Sequence, residues 1–338
     1  MKIALDAMGG DRSPSAEVEG AILAAKEHNV EIILVGDEKI LQAEVKKHGV
    51  FDLPISIFHA SQRVEMHESP ASVLRRKRDS SIIIATNLVK EGKASAVVSA
   101  GHTGATMASA LFILGPMKGV DRPAIATILP TVQGVAIMLD VGANVDCKPE
   151  HLFQFAIMGN SYAIKVLHKD NPRIGLLSIG EEDTKGNILT KETFKHLKDS
   201  PLNFIGNVEG RDVYTGNADV IVCDGFIGNV ALKISEGVAE TIGKLLADEI
   251  EKSFFGKIGY LLMKSAFSSF KKRVDYAEYG GAPLLGVNGI CIICHGRSSP
   301  RAIKNAITMA IELTRLQTIN FVQKDIAELM SYYRRDNN

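Results

Sequence analysis

Ala96-Val97-Val98-Ser99-Ala100-Gly101-His102-Thr103-Gly104-Ala105-Thr106-Met107-Ala108 joins two kinds of local structure. The first residues are small or β-branched, which predicts a strand buried in a parallel sheet, and the last residues predict a helix. In an open α/β sheet, ligands bind at the turn between such a strand and its helix. Hydroxyls, glycines and free backbone N–H groups at a helix start suit an anion such as phosphate. An ordinary glycine-rich turn has the same residues, and this stretch alone does not separate the two interpretations.

Strands and helices alternate on both sides of this stretch. Before it, strands are predicted at 3–6, 31–35 and 55–59, with helices at 15–28, 39–47 and 82–90. After it come strands at 124–129, 135–141, 173–178, 220–223 and 290–294, helices at 153–167, 300–317 and 325–333, and a flexible turn at 280–289. The pattern predicts an α/β fold with a Rossmann-like wound, mostly parallel sheet flanked by helices. We expect one catalytic domain over residues 1–338, with one or two lobes.

The composition is that of an ordinary soluble protein, with 46% hydrophobic residues and no tryptophan among 338 residues. The formal net charge of +0 gives no support to bulk nucleic-acid binding and leaves local patches for electrostatic partners. Asp6 comes too early for a secretory signal, and no apolar run approaches the ~20 residues of a spanning helix. Since the four cysteines are typical of reduced thiols, we expect a cytoplasmic protein.

Cys291-Ile-Ile-Cys294-His295 spells the attachment pattern of c-type haem. The pattern lies in a segment typical of a buried strand, where thiols three residues apart point to opposite faces. No export signal and no second cysteine pair for zinc accompany it. We therefore interpret both cysteines as core residues and expect no metal.

Four consecutive cations, Arg75-Arg76-Lys77-Arg78, are unusual in a chain of balanced charge. Such a run is typical of the solvated end of a helix. It also suits a docking patch for an acidic partner, because complementary charges steer such encounters. The residues alone leave both interpretations open.

Residues 252–274 carry six cations and no acid. Cations interleaved with aromatic and aliphatic residues are typical of a helix or hairpin that lies on anionic lipid. A dimer or core helix with a basic rim has the same pattern. Both interpretations apply if a dimer presents the tip of this segment to a membrane. We expect a protruding amphipathic helical hairpin over 230–275 for dimerisation or membrane contact. The expected membrane contacts are Phe254, Phe255, Ile258, Leu261 and Leu262.

Polar residues gather at the predicted ends of the strands, and these ends share one edge if the sheet is parallel. They are Asp6, Asp11, Ser99, His102, Thr103, Asp140, Asn144, Lys185, Asp224, Asn229, His295 and Arg297. Lys185 follows three acids, so it is either their structural partner or a positioned catalytic cation. Asn229 stands near a helix start, where it either caps the helix or holds a ligand.

Several common signatures are missing from the sequence. There is no Gly-x-Gly-x-x-Gly fingerprint for NAD, no Gly-x-Ser-x-Gly nucleophile elbow and no zinc-type cluster, and the loop 180–186 lacks P-loop spacing. The lysine, histidine and amide donors that remain suit phosphate binding and oxyanion stabilisation. From the residues alone we predict a phosphate-handling α/β enzyme with a candidate membrane surface.

Six segments in register along essentially the whole chain resemble the bacterial phosphate acyltransferase family PlsX. They are Asp6-Ala-Met-Gly-Gly-Asp11, Ser99-Ala-Gly-His-Thr-Gly-Ala-Thr106, Asp140-Val-Gly-Ala-Asn144, Asn207-Val-Glu-Gly-Arg-Asp212, Cys223-Asp-Gly-Phe-Ile-Gly-Asn229 and Gly280-Gly-Ala-Pro-Leu-Leu-Gly286. Each motif is short, but six in the same order argue against a chance match.

The resemblance implies conversion of long-chain acyl-(acyl carrier protein) and inorganic phosphate to acyl phosphate and free carrier protein, in bacterial phospholipid synthesis. It implies the fold of isocitrate and isopropylmalate dehydrogenases and of phosphotransacetylase, in a homodimer without metal, nucleotide or other cofactor. It also implies peripheral association with the inner face of the cell membrane, where a glycerol-3-phosphate acyltransferase uses the product. The cations at 75–78 then become a docking site for the acidic carrier protein.

The resemblance also implies residue roles. Phosphate would lie against the Ser99–Thr103 turn and attack the thioester carbonyl directly. Lys185 would orient phosphate or stabilise the departing thiolate, and Asn229 would hold the developing oxyanion. His102 is the alternative proton-handling group, because imidazole titrates near neutral pH. The other substrate-binding candidates are Asp6, Gly9, Gly10, Gly101, Gly104, Asp140, Asn144 and Asp224.

Three other functions fit parts of the pattern. A short-chain phosphotransacetylase would use acyl-CoA, and a dehydrogenase of the same fold would use a nicotinamide. A non-catalytic membrane scaffold would bind lipid without any turnover.

Overall fold

The computed structural model describes residues 1–49, 52–274 and 280–335, which form one sheet with helices on both faces. The eleven strands within these residues are β1 (Lys2–Asp6), β2 (Glu31–Gly36), β3 (Ile55–His59), β4 (Ala96–Ser99), β5 (Ala124–Thr131), β6 (Gly134–Leu139), β7 (Ile174–Leu177), β8 (Phe204–Val208), β9 (Val220–Val222), β10 (Ala282–Leu285) and β11 (Ile290–Ile293). The α-helices are α1 (Ser15–His28), α2 (Glu38–Lys47), α3 (Pro70–Arg76), α4 (Ser81–Lys90), α5 (Thr103–Ser109), α6 (Pro149–Lys165), α7 (Ile188–Lys198), α8 (Gly225–Lys252), α9 (Phe254–Leu262), α10 (Lys264–Val274), α11 (Pro300–Arg315) and α12 (Thr318–Arg335). A π-helix, Ala110–Leu114, extends α5, and a 3-10 helix spans Gly210–Tyr214.

The strands follow the order β3-β2-β1-β4-β11-β10-β5-β6-β9-β7-β8 across the sheet. In the first half, β3, β2, β1, β4 and β11 are parallel. β10 runs antiparallel to both β11 and β5, and β5 is antiparallel to β6. In the second half, β6, β9, β7 and β8 are parallel to one another. The predicted mostly parallel sheet is confirmed, but its two halves run in opposite directions.

One strand lies where the sequence predicts a flexible turn. β10 falls inside residues 280–289 and joins the two halves by pairing with β11 and β5. Its Pro283 and the glycines around it are typical of turns, which explains the wrong prediction. Burial of Pro283, Leu284 and Leu285 between the two neighbouring strands overrides that local preference.

The sheet buries apolar side chains on both faces, because successive residues of a strand point to opposite sides. In β1, Ile3 and Leu5 belong to the core layer with α1 and α11, whereas Ala4 belongs to the layer with α4. Cys294 and Cys291 divide between the same two layers. Burial raises the pKa of the Cys291 thiol to about 12, so the thiol stays protonated. Both cysteines are core residues, as predicted.

The helices α8, α9 and α10 expose most of their apolar residues. In α8, which has 28 residues, Gly225 and Gly228 are the buried ones. The exposed apolar side chains include Val230, Ile234, Val238, Ile242, Leu245, Leu246, Phe254, Phe255, Ile258, Leu261 and Leu262. The predicted hairpin of 230–275 lies in these helices, although residue 275 and the side chains of 269 and 271–274 are outside the described part. Among the described helices, none is long and apolar enough to cross a membrane.

Candidate functional site

Asp6 and Ser99 are neighbours at the carboxyl ends of β1 and β4, and both are buried. The Ser99 hydroxyl donates to Asp6 Oδ2 at 2.7 Å and accepts the Gly101 N–H at 3.1 Å. Burial raises the pKa of the Asp6 carboxyl, and hydrogen bonds from Ser81 and Ser99 oppose this rise. Both side chains therefore hold the turn together. The exposed side chain of the predicted phosphate turn is Thr103, the first residue of α5.

Glycines allow the loops after β1 and β4 to pack closely. A Cβ atom at Gly9 would lie 2.8 Å from the Cα of Gly101, which is closer than real Cβ contacts. A Cβ atom at Gly10 would overlap the carboxylate of Glu17. These glycines thus have a packing role, and contact between their N–H groups and phosphate stays a prediction.

His102 caps the start of α5. Its Nδ1 accepts the Ala105 N–H at 3.2 Å, so the neutral ring carries its proton on Nε2. The ring is half-buried, and a Cβ atom at Gly104 would approach its Cε1 to 3.1 Å. A proton-handling role would therefore use Nε2, and this role stays a prediction.

Glu17 is a buried acid of this region that the sequence analysis misses. It lies in the first turn of α1 and is 1% exposed, and its Oε2 has no hydrogen-bond partner among the described residues. Burial raises the pKa of the Glu17 carboxyl to about 7, and the nearby charge of Asp6 adds to the rise. The available signal was the spacing of Glu17 from the buried Ala21 and Ala24, which puts an acid within an apolar helix face.

Asp140 follows β6 and is fully buried. Its carboxylate accepts the backbone N–H groups of Ile125, Gly142, Ala143 and Asn144, and the Asn144 side-chain amide, at 2.7–3.1 Å. Burial raises its pKa, and these hydrogen bonds act in the opposite direction. Asp140 and Asn144 therefore bond to each other and shape the loop, and their predicted contact with substrate stays a prediction.

Asp224 and Asn229 lie at the start of α8, beside the loop shaped by Asp140. Asp224 is the N-cap, because its Oδ1 accepts the Ile227 N–H at 2.9 Å. Asn229 is in the second turn, so the interpretation of Asn229 as a helix cap is wrong. Its side chain is exposed next to Gly142 and makes no hydrogen bond within the described residues. The amide is free to donate to a ligand.

Lys185 is exposed in the loop after β7. Two of the three acids before it pair with other cations, because Glu181 contacts Arg211 at 3.0 Å and Asp183 contacts Lys198 at 2.9 Å. The Lys185 ammonium has no ion pair with any residue that the structure describes. The interpretation of Lys185 as the structural partner of these acids is therefore wrong.

The predicted site residues fall into two groups. The group around Asp6 and Ser99 follows strands of the first half, whereas Asp140, Lys185 and Asn229 follow β6, β7 and β9 of the second half. Because the halves run in opposite directions, their carboxyl ends do not share one edge, and that prediction is wrong. No hydrogen bond or ion pair joins the two groups in the described part of the chain. Lys185 and Asn229 do lie at the same edge of the sheet, because they follow the neighbouring parallel strands β7 and β9.

His295 and Arg297 follow β11 on the same edge as Asp6, and both are exposed. The loops after β1 and β11 meet there, because the Asp11 N–H donates to the Gly296 carbonyl oxygen at 2.8 Å.

Across residues 1–49, 52–274 and 280–335, no cluster of three or more His, Cys, Asp or Glu side chains could hold a metal ion.

The run of cations at 75–78 is divided by the structure. Arg75 and Arg76 are exposed at the end of α3, and Arg78 is exposed just after the helix. Lys77 donates to Glu68 at 2.6 Å and to the Arg63 carbonyl oxygen at 2.8 Å. Three of the four predicted docking residues are therefore accessible to a partner.

Comparison with known proteins gives the family. A family model described as "Fatty acid synthesis protein" matches residues 1–321. The chain belongs to this family. Phosphate acyltransferases of Geobacter sp. (strain M21) and Geobacter sulfurreducens are 58% identical over 312 and 315 residues, which are 92% and 93% of this chain and 89% and 91% of theirs. The phosphate acyltransferase of Geotalea uraniireducens is 54% identical over 337 residues, 100% of this chain and 95% of its own. The predicted family and the predicted acyltransferase class are confirmed.

Solved structures share the fold. The EutD phosphotransacetylase from Staphylococcus aureus superposes with a TM-score of 0.60 at 20% identity, over 94% of each chain. A phosphotransacetylase from Streptococcus pyogenes gives a TM-score of 0.56 at 18% identity, over 97% of this chain and 94% of its own. At such low identity the likeness concerns the fold alone, and it confirms the predicted architecture.

Proposed function

We propose that this chain transfers the acyl group of a long-chain acyl-(acyl carrier protein) to inorganic phosphate, forming acyl phosphate for phospholipid synthesis. The observation that carries the proposal is the 58% identity to phosphate acyltransferases over 92% of the chain. The description of the family as a fatty acid synthesis protein supports a fatty acyl substrate. A glycerol-3-phosphate acyltransferase would then use the acyl phosphate.

The proposed reaction is direct attack of a phosphate oxygen on the thioester carbonyl carbon. The new C–O bond forms, negative charge develops on the carbonyl oxygen, and the C–S bond then breaks to release the carrier thiolate. The unbonded amide of Asn229 donates to that oxygen, as in an oxyanion hole. The unpaired ammonium of Lys185 balances the charge of phosphate or thiolate.

The phosphate is proposed to bind between Lys185 and the exposed side of the Ser99–Thr103 turn. Thr103 is exposed there and Nε2 of His102 is not used by the helix cap, which supports this placement. We propose that the two groups of site residues, which leave opposite edges of the sheet, face one cleft when substrate is bound.

The test of the proposed function is thiol release from a long-chain acyl carrier protein, measured with and without inorganic phosphate. We expect release that depends on phosphate and equals the acyl phosphate formed. Turnover of acyl-CoA without turnover of the carrier-protein thioester would instead favour a phosphotransacetylase. Lipid binding without any turnover would favour the scaffold function.

We propose that the acidic carrier protein docks at Arg75, Arg76 and Arg78. Reversal of all three to glutamate is expected to raise KM for the acyl-carrier thioester about 10-fold at low salt, because it replaces attraction by repulsion. The difference should shrink as salt screens the charges. Steady-state kinetics at two ionic strengths measure both effects.

A matched control reverses Lys26, Lys39 and Lys46, which are exposed cations elsewhere on the surface. It changes the net charge equally and should leave KM near the wild-type value. Equal KM changes in both triple variants, or no change in either, would contradict docking at 75–78.

We propose that α8 mediates a homodimer and that α9 touches the anionic inner face of the cell membrane. The exposed apolar side chains of α8 support the first role. The exposed aromatic and aliphatic residues of α9, with Lys257 among them and Lys264 at the start of α10, support the second. Leu261→Glu with Leu262→Glu, at positions 70% and 81% exposed, is expected to reduce co-sedimentation with anionic vesicles at least 10-fold. Dimerisation, measured by analytical ultracentrifugation, should be unchanged.

Ser265→Glu with Ser268→Glu is the control for this experiment, since it adds the same charge to exposed positions of α10 without removing apolar surface. We expect it to weaken vesicle binding less than the leucine variant. Wild-type co-sedimentation of the leucine variant would refute the membrane contact.

A further inference from the structure

The segment Asn207-Val-Glu-Gly-Arg-Asp212 has no role in the function proposed above. Its first two residues are the last two of β8, and the segment lies beside the loop 180–186, which carries Lys185. The Asn207 amide donates to the Glu182 carbonyl oxygen at 2.9 Å. Arg211 donates to Glu181 at 3.0 Å and also pairs with Glu209 at 3.1 Å. The segment therefore holds the Lys185 loop at two points of that loop, the backbone carbonyl of Glu182 and the carboxylate of Glu181.

A second anchor holds the other side of the same loop. Lys198, in the last turn of α7, donates to Asp183 at 2.9 Å. The two acids at the ends of Glu181-Glu182-Asp183 are thus neutralised by cations from outside the loop. Lys185, two residues after Asp183, is left without an ion pair in the described structure.

We propose that Arg211, assisted by Lys198, is a positioning residue for Lys185. By pairing with Glu181, it keeps that carboxylate from capturing the Lys185 ammonium, which therefore stays available to phosphate or thiolate. The inference rests on the proposed function, because an unpaired Lys185 matters for the reaction only if Lys185 takes part in acyl transfer. The role is indirect, since Arg211 contacts the loop and not the reacting atoms.

The exposure of these pairs separates this role from a role in stability. The side chains of Arg211 and Glu181 are 71% and 61% exposed, and exposed ion pairs add little to folding stability. Loss of the pair should hardly change the melting temperature. Displacement of a catalytic group by an ångström, in contrast, lowers rates strongly.

The experiment measures kcat for phosphate-dependent thiol release in Arg211→Gln, alone and combined with Lys185→Ala. We expect Arg211→Gln to lower kcat about 10-fold, with a melting temperature within about 2 °C of the wild type. In the Lys185→Ala background, the same substitution should have no further effect on kcat. Glu181→Gln combined with Arg211→Gln should recover most of the rate, because the competing carboxylate is gone.

Lys2→Gln is the matched control, since Lys2 forms an exposed ion pair of similar length, 2.9 Å, with Glu31 at the opposite end of β1 from Asp6. It should leave kcat unchanged. If Arg211→Gln does not fold, Lys198→Gln tests the same idea and should lower kcat several-fold only when Lys185 is present.

Two results would overturn the proposed role of Arg211 and leave the proposed function intact. One is a wild-type kcat in a folded Arg211→Gln variant, or in Lys198→Gln if the first variant does not fold. The other is an equal loss of kcat with and without Lys185, which would mark a structural role. Absence of phosphate-dependent release in the wild type would overturn the proposed function itself, and this role with it.

Discussion

Replacing Asn229 with alanine is expected to lower kcat for phosphate-dependent thiol release by about 10²–10³-fold, the usual loss for one oxyanion donor. The reason is the placement of the amide, which is exposed in the second turn of α8 and makes no hydrogen bond within the described chain. Since the substitution breaks no contact of the fold, the free energy of unfolding should change by no more than about 0.5 kcal/mol. Kinetics at saturating phosphate and carrier thioester, with chemical denaturation in parallel, measure both quantities.

Asn217→Ala is the matched control, because Asn217 is an exposed asparagine in the loop before β9, at the end of that strand away from Asn229. Its kcat should equal that of the wild type. Asn229→Asp keeps the size of the side chain but loses the donor and adds a charge, so it should be at least as slow as Asn229→Ala. A folded Asn229→Ala variant with full activity would remove the oxyanion role.

Glu17→Gln is expected to stabilise the protein at pH 8 by up to about 3 kcal/mol. The folded-state pKa of Glu17 is about 7, above its ordinary value of 4.5, because the carboxyl is buried. A raised carboxyl pKa means that the folded state holds a proton that the unfolded state has lost. This group therefore makes stability fall as pH rises from about 4.5 to 7, by about 1.4 kcal/mol for each unit of pKa difference.

Urea denaturation of both proteins between pH 4.5 and 8 tests this effect. The difference in free energy of unfolding should grow up to pH 7 and then level off, because glutamine mimics the protonated carboxyl and does not titrate. Glu19→Gln, at an exposed position of the same helix, should run parallel to the wild type. Parallel curves for Glu17→Gln would show that the Glu17 carboxyl is equally easy to ionise in the folded and unfolded states.

Local structure was predictable from the sequence where local signals decide it. The predicted helix 15–28 coincides with α1, since its apolar spacing is regular and Asn29 ends it in the left-handed conformation, with φ 48°. The helix cap at Asp224 was missed in favour of Asn229, although aspartate before Gly225 is an equally good cap. Here two candidates stood five residues apart, and only geometry separates them.

Features that depend on distant parts of the chain were not predictable in this way. The direction of the second half of the sheet follows from the pairing of β10 with β11 and with β5. Of these two partners, β5 lies more than 150 residues before β10 in the sequence. The pairing of Glu181 with Arg211 joins residues 30 positions apart. Short apolar runs and charged loops carry no information about such partners, so the free state of Lys185 and the burial of Glu17 emerge only from the fold.

The position of β11 in the sheet has a consequence for synthesis on the ribosome. β4 pairs with β1 on one side and β11 on the other, yet Ser99 is made about 190 residues before Ile290. At a synthesis rate of about 5–20 residues per second, this edge of β4 stays unpaired for roughly 10–40 s before β11 is made. During this time the nascent chain presents an apolar strand edge of the kind that chaperones cover and that aggregation exploits. Completion of the sheet is therefore tied to residues 282–293, and a product truncated before them would retain that open edge.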